Sequence, residues 1–328
     1  MGQLGYGSYQ LSIGIYQAAR GDFKLALVSL AAALSPHAVK KDHGILKFLV
    51  WNTTVWSYLA LGRVTKAEDV SRNLDRRYRE CNRVVVWSLW VLSIICILRG
   101  DFKQAKKHIK SLDETQQGRS GRVHTEALKG FISVCRKDFL GLDSDVRDRC
   151  FESVLLAGNI LSFVPQLTPI GLMGLFLSGY SIFTIISKFD FVISCRRGGG
   201  VLHRLRKCAE KVIAAMRHSI SSIPCLLPLY EALVMMKAVV QGKRNRSDRN
   251  IVPCYPITNN HVTQRFNQFS LGLAFWHLER VHYCEHFGLD PNEVDICKSR
   301  SLELFKLYGM NPCHPVLDME DSSSHSDI

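Results

Sequence analysis

A chain of 328 residues is longer than one small core needs, so either two globular domains or one elongated array is expected. Nearly half of the residues (47%) are hydrophobic, which excludes general disorder, and 42 Lys and Arg against 29 Asp and Glu give a net +13 that suits an acidic protein, RNA or an anionic membrane surface as partner. The eleven cysteines are scattered through apolar or mixed segments and Met1 to Ala19 lacks the regions of a secretory signal, which points to free thiols in a reducing, cytoplasmic setting rather than a disulfide framework.

Three junctions share one logic along the first half of the chain: Ala19-Arg20-Gly21-Asp22-Phe23-Lys24-Leu25-Ala26, Leu61-Gly62-Arg63-Val64-Thr65-Lys66-Ala67, and Arg99-Gly100-Asp101-Phe102-Lys103-Gln104-Ala105. In each, a glycine ends an apolar helix, and a large apolar residue (Phe23, Val64, Phe102) opens the next helix three positions before an alanine. Glycine takes positive φ without steric cost, and a small alanine lets a neighbouring helix approach closely. A fourth copy, Arg136-Lys137-Asp138-Phe139, lacks the glycine. From Gly21 the steps to Gly62, Gly100 and Lys137 are 41, 38 and 37 residues, a period that marks stacked helix pairs. Between the junctions, Val84 to Leu98 is uncharged and predicts a helix covered on most sides, whereas Phe102, Ala105, Ile109 and Leu112 fall on the opposite face from Lys103, Lys106, Lys107 and Lys110.

Beyond residue 150 the register blurs. Ser153 to Ser187 has no charged residue, and Pro165 and Pro169 divide it into a short helix and a longer apolar one, Ile170 to Ile186. Val201, Leu205, Cys208, Val212 and Ala215 form a helical face; Leu226 to Val240 predicts a further apolar helix ending at Gly242. Residues 242–263 read as an exposed basic loop, two more helices are expected at 264–287 and 292–308, and the acidic, serine-rich tail at 310–328 reads as disordered.

The glycine junctions resemble those of the tetratricopeptide superfamily, although the Trp, Leu, Gly and Tyr pattern of its first helix is incomplete here. The resemblance implies an all-α, tetratricopeptide-like α-solenoid of antiparallel helix pairs over 1–150, continued by degenerate repeats over 151–309. The segment from Ser299 to Met310, with Leu304-Phe305 before Gly309, resembles the closing helix of the repeat regions behind signalling ATPases and soluble adenylate cyclases. It implies a relative or fragment of their non-catalytic C-terminal part, partnered by a catalytic module.

The candidate chemical sites are weak. Gly198-Gly199-Gly200 before a helix imitates a phosphate loop but lacks the following Lys-Ser/Thr, so an inter-helix turn is favoured. His282, Cys284 and His286, with Cys297, Cys313 and His314 downstream, are ligand types without paired half-sites, and ligands at i, i+2 and i+4 do not share a helix face. Two basic clusters, Arg196, Arg197, Arg204, Arg206 and Lys207, and then Lys243, Arg244, Arg246 and Arg249, could meet an anionic partner; no aromatic platform beside them favours nucleic acid. The leading expectation is a non-enzymatic scaffold without catalytic residue, cofactor or metal, holding a protein or peptide on its concave face. A regulatory module of a cyclase or ATPase is the alternative, and membrane association through 170–186 the second.

Overall fold

Each glycine junction ends one helix and starts the next in the computed structural model, which describes residues 3–34, 44–77, 82–115, 119–140, 144–163, 169–193, 199–244, 262, 265–310 and 316. Thirteen α-helices are found among these residues, and no strand: α1 (Gln3–Arg20), α2 (Phe23–Ala33), α3 (Gly44–Ala60), α4 (Val64–Arg77), α5 (Asn82–Leu98), α6 (Phe102–Glu114), α7 (Arg119–Cys135), α8 (Ser144–Phe163), α9 (Pro169–Ile193), α10 (Gly199–Ile220), α11 (Leu227–Arg244), α12 (Ser270–Phe287) and α13 (Pro291–Lys306).

The junctions are built alike. Gly21, Gly62 and Gly100 have φ of 96°, 70° and 78°, the left-handed region. Their amides bond back to the carbonyls of Ala18, Leu59 and Ile97, and the next amides reach Gln17, Tyr58 and Cys96, so that the last carbonyls of α1, α3 and α5 are satisfied by a two-bond turn. The helix that follows is fixed one turn in. Asp101 caps α6 by accepting from the Gln104 amide at 3.0 Å, and Ala26, Ala67 and Ala105 are wholly buried. At the fourth junction Lys137 itself takes φ 58°, and its amide bonds to Val134.

Several helix limits differ from the sequence expectation. The helix before Pro165 is not short: α8 begins at Ser144 and runs 20 residues. The apolar helix expected at 170–186 is extended to 25 residues as α9, because the proline opens it and Lys188 and Asp190 are tolerated near its end. Gly199 and Gly200 belong to the first turn of α10 rather than to an inter-helix turn, and α11 carries on through Gly242 to Arg244, shortening the expected basic loop. A Cβ at Gly242 would stand 2.7 Å from the His286 ring, so the glycine there gives room to α12 instead of ending a helix. The helix expected from 264 starts only at Ser270, because a tight turn over 266–268 precedes it. Arg196, Arg197, Gly198, Arg246, Arg249 and the tail from 317 lie outside the described residues.

Helices that follow one another pack together, and alternate helices also meet, as α1 does with α3, α5 with α7, α7 with α9 and α9 with α11. One apolar core runs from Ala18 to Val316. Its middle is α12, buried along nearly its whole length from Ser270 to Cys284. Phe275 of α12 makes edge contacts with Phe176 and Tyr180 of α9 at 5.0 and 5.4 Å, and with Phe305 of α13 at 5.2 Å. At its start, Phe269 lies between Phe23 and Trp56, at 5.8 and 5.7 Å, and the Gln268 side chain accepts from the Lys24 amide in the first turn of α2. The Tyr308 hydroxyl donates to the Leu59 carbonyl at 2.7 Å, and a Cβ on Gly62 would come within 2.9 Å of Leu307. The end of the chain thus closes on the first two helix junctions. Two apolar stretches, Gly171–Lys188 and Pro224–Gly242, are long enough to cross a membrane, and 83% and 61% of their residues are buried within the molecule.

Two stability predictions follow from the junctions. Left-handed backbone costs a residue with a Cβ about 1–2 kcal/mol, so Lys137→Gly should stabilise, and Gly100→Ala destabilise, each by about 0.5–1 kcal/mol in urea unfolding at constant slope; changes of the same sign would refute this reading of the turns. Ala105→Phe should overpack its contact and lose roughly 1–3 kcal/mol, whereas Lys106→Ala, on the exposed side, should lose almost nothing.

Candidate functional site

α10 packs on α8 and α9, whereas α11 packs on α9 and α12, so the two have different supports and touch each other only sparsely. A groove of about 710 Å³ opens between them. Ile213, Ala214, Val234 and Ala238 line it with apolar surface; Glu210, Arg217, His218, Ser221, Lys237 and Gln241 give it a polar rim, and the half-buried Tyr230 completes the lining.

Lys237 Nζ on α11 meets Glu210 Oε2 on α10 at 2.7 Å across the groove. The lining stripe of α10, Arg217, Ala214 and Glu210, continues at helical spacing to Lys207 and Arg206. Arg204 and Lys207 of α10 are exposed, and the backbone of α11 runs on to Lys243 and Arg244. α10 has five Lys and Arg against one acid and α11 three against one, nearly half of the net +13 of the chain.

The other candidates have different surroundings. Gly21, Phe23, Ala26, Gly62, Ala67, Gly100, Phe102 and Ala105 sit in the helix junctions described above. Cys284 is wholly buried, while the His282 ring leaves toward Glu279, Nδ1 lying 3.2 Å from Oε2. No three His, Cys, Asp or Glu side chains among the described residues converge as metal ligands, and Cys313 and His314 lie outside those residues. Burial pushes the thiols of Cys96, Cys208 and Cys284 up to about 11 and that of Cys150 up to about 12, and raises Cys135 and Cys225 as well. Such thiols stay protonated at neutral pH and are weak nucleophiles.

The polar groups of α12 face inward, a feature missed in the sequence because their partners are remote. Trp276 Nε1 donates to Glu231 Oε2 at 2.9 Å, Arg280 Nε to Glu293 Oε1 at 2.8 Å, and Ser301 Oγ of α13 to the Ala274 carbonyl at 3.1 Å. Burial raises the Glu231 carboxyl, against the lowering effect of the indole donor. Burial and the nearby Glu279 carboxylate push the Tyr180 phenol well above its usual range. No family model, curated protein or solved structure matches the chain.

Two α12 histidines respond to pH with opposite sign. Burial, aided by Arg300, holds His277 down at about 4, and its Nδ1 has no hydrogen-bond partner among the described residues. The unfolded chain therefore takes up that proton first, and stability falls as pH drops from about 6.5 toward 4. For His282, burial opposes the charged ring but Glu279 outweighs it and raises the pKa, so its contribution is complete below the unfolded value and lost as pH rises through the folded one. His277→Leu should accordingly flatten the decline in Tm on acidification while preserving it near neutrality; a decline as steep as in the native chain would remove His277 from this account.

Proposed function

We propose that the chain is a non-enzymatic, cytoplasmic protein-interaction module of the tetratricopeptide-like kind, with helices stacked as antiparallel pairs, and that it binds an acidic peptide segment in the groove between α10 and α11. The observation that carries this reading is the groove itself: its floor is apolar while its helices hold nearly half of the net positive charge. An extended or helical segment with alternating acidic and apolar side chains complements both features. Because α12 fills the middle of the molecule, the partner is assigned to this outer groove rather than to an inner concave face.

The charges also shape the binding. Lys237 is already bonded to Glu210, so an incoming carboxylate would compete with that pair, whereas Arg217 is exposed on the rim and offers a planar fork of donors. Contacts at such exposed rims are screened by salt and act mainly on the rate of association.

A fluorescently labelled peptide of alternating Glu and Leu should raise its anisotropy with the full chain and release as salt increases. Arg217→Glu combined with Lys237→Glu should weaken binding at least tenfold, while Lys103→Glu with Lys106→Glu on α6 should leave it unchanged. Absence of binding, or equal binding by both variants, would refute the groove. The purified chain should show no ATP turnover above buffer with magnesium or manganese present; turnover abolished by a substitution in this chain would refute the non-enzymatic reading.

A further inference from the structure

We infer that the outer face of α1 and α2 is a self-association surface, on which a second copy of the chain packs its own α1–α2 pair about a two-fold axis. Counting from the junction glycine shows why this face differs from its counterparts. Twelve residues before Gly62 and Gly100 stand Val50 and Ser88, and five before stand Ser57 and Ile95; all four are at most 3% exposed. The same positions before Gly21 are Tyr9 and Tyr16, which are 55% and 61% exposed. Val50 shows what normally covers this position: it clusters with Leu11, Leu30 and Ala33 of the preceding helix pair. Among the described residues α1–α2 has no pair before it.

The second helix supports the same conclusion from chemistry. Four and seven residues after Gly62 and Gly100 come Lys66 and Asp69, then Gln104 and Lys107, all polar. After Gly21 the same positions hold Leu25 and Val28, 57% and 68% exposed. Tyr6 extends the α1 stripe by one further turn. α1 and α2 carry six of the twelve large exposed apolar and aromatic side chains found among the described residues.

Charge and geometry select a second copy as the occupant. A chain of net +13 repels its like over most of its surface, yet the only charged residues within α1 and α2 are Arg20, whose guanidinium lies over the Tyr16 ring, and Lys24. The face needs a helix pair with an uncharged apolar side, and α1–α2 is itself such a pair, so a two-fold arrangement covers both faces at once. Helices of 18 and 11 residues side by side present on the order of 500 Å² each side, or about 1,000 Å² for the two copies, the threshold of a biological interface. This surface is separate from the α10–α11 groove, so peptide binding and self-association can fail independently.

Sedimentation equilibrium of the full chain at micromolar concentration should give twice the chain mass. Tyr9→Lys with Tyr16→Lys should halve that mass at unchanged helical circular dichroism and unchanged peptide binding, and Leu25→Glu with Val28→Glu, on the other helix, should do the same if the first variant folds poorly. A native chain that sediments as a monomer, whether because the face stays open or because it takes a different partner, would overturn the proposal. So would dimers that persist in the folded charged variants.

Discussion

The burial of α12 is the constraint on which the rest of the molecule depends. A helix that keeps the Trp276 indole and the Arg280 guanidinium out of water needs partners for them as well as apolar neighbours, since an orphaned buried charge is far more damaging than a lost surface contact. The partners come from widely spaced parts of the chain: Glu231 from α11, Glu293 from α13 and the aromatic edges of Phe176 and Tyr180 from α9. With α12 in place, the early junctions gain a lid, because Phe269 reaches Phe23 and Trp56 while Tyr308 satisfies a carbonyl at the end of α3.

The groove is a by-product of the same constraint. α11 packs on α12 and α9, and α10 on α8 and α9, so the sparse contact between α10 and α11 leaves a polar-rimmed gap. Its basic rim and the nearly uncharged α1–α2 face are chemically opposite surfaces. Under the proposed readings, one would draw acidic chains from a distance and respond to salt, and the other would act only at contact, through aromatic and aliphatic area.

What could be read from the sequence was local. The Gly21, Gly62 and Gly100 junctions follow from short-range rules, since a left-handed glycine and a buried alanine five positions later are needed whatever lies elsewhere. The helical nature of the apolar runs was similarly legible. What stayed hidden was long-range. The sequence 270–287 is apolar with scattered charge, and nothing in its period says that Glu279 and Arg280 point inward; the pairing of Lys237 with Glu210 spans 27 residues, and the splay that makes a groove of it depends on the supports of two helices. Lys243 and Arg244 were legible as a basic cluster, but their extension of a helix was not, because Gly242 reads as a stop until His286 is seen beside it.

The separation of 244 residues between Lys24 and Gln268, and of 249 between Leu59 and Tyr308, has a consequence during synthesis. Translation at about 5–20 residues per second leaves the surfaces of Phe23 and Trp56 waiting roughly 12–50 s for the aromatic residue that will cover them. In that interval the nascent helices that carry Phe23 and Trp56 display sticky apolar ground to the ribosome exit and to chaperones, and closure is deferred until the segment from Phe269 to Tyr308 has emerged.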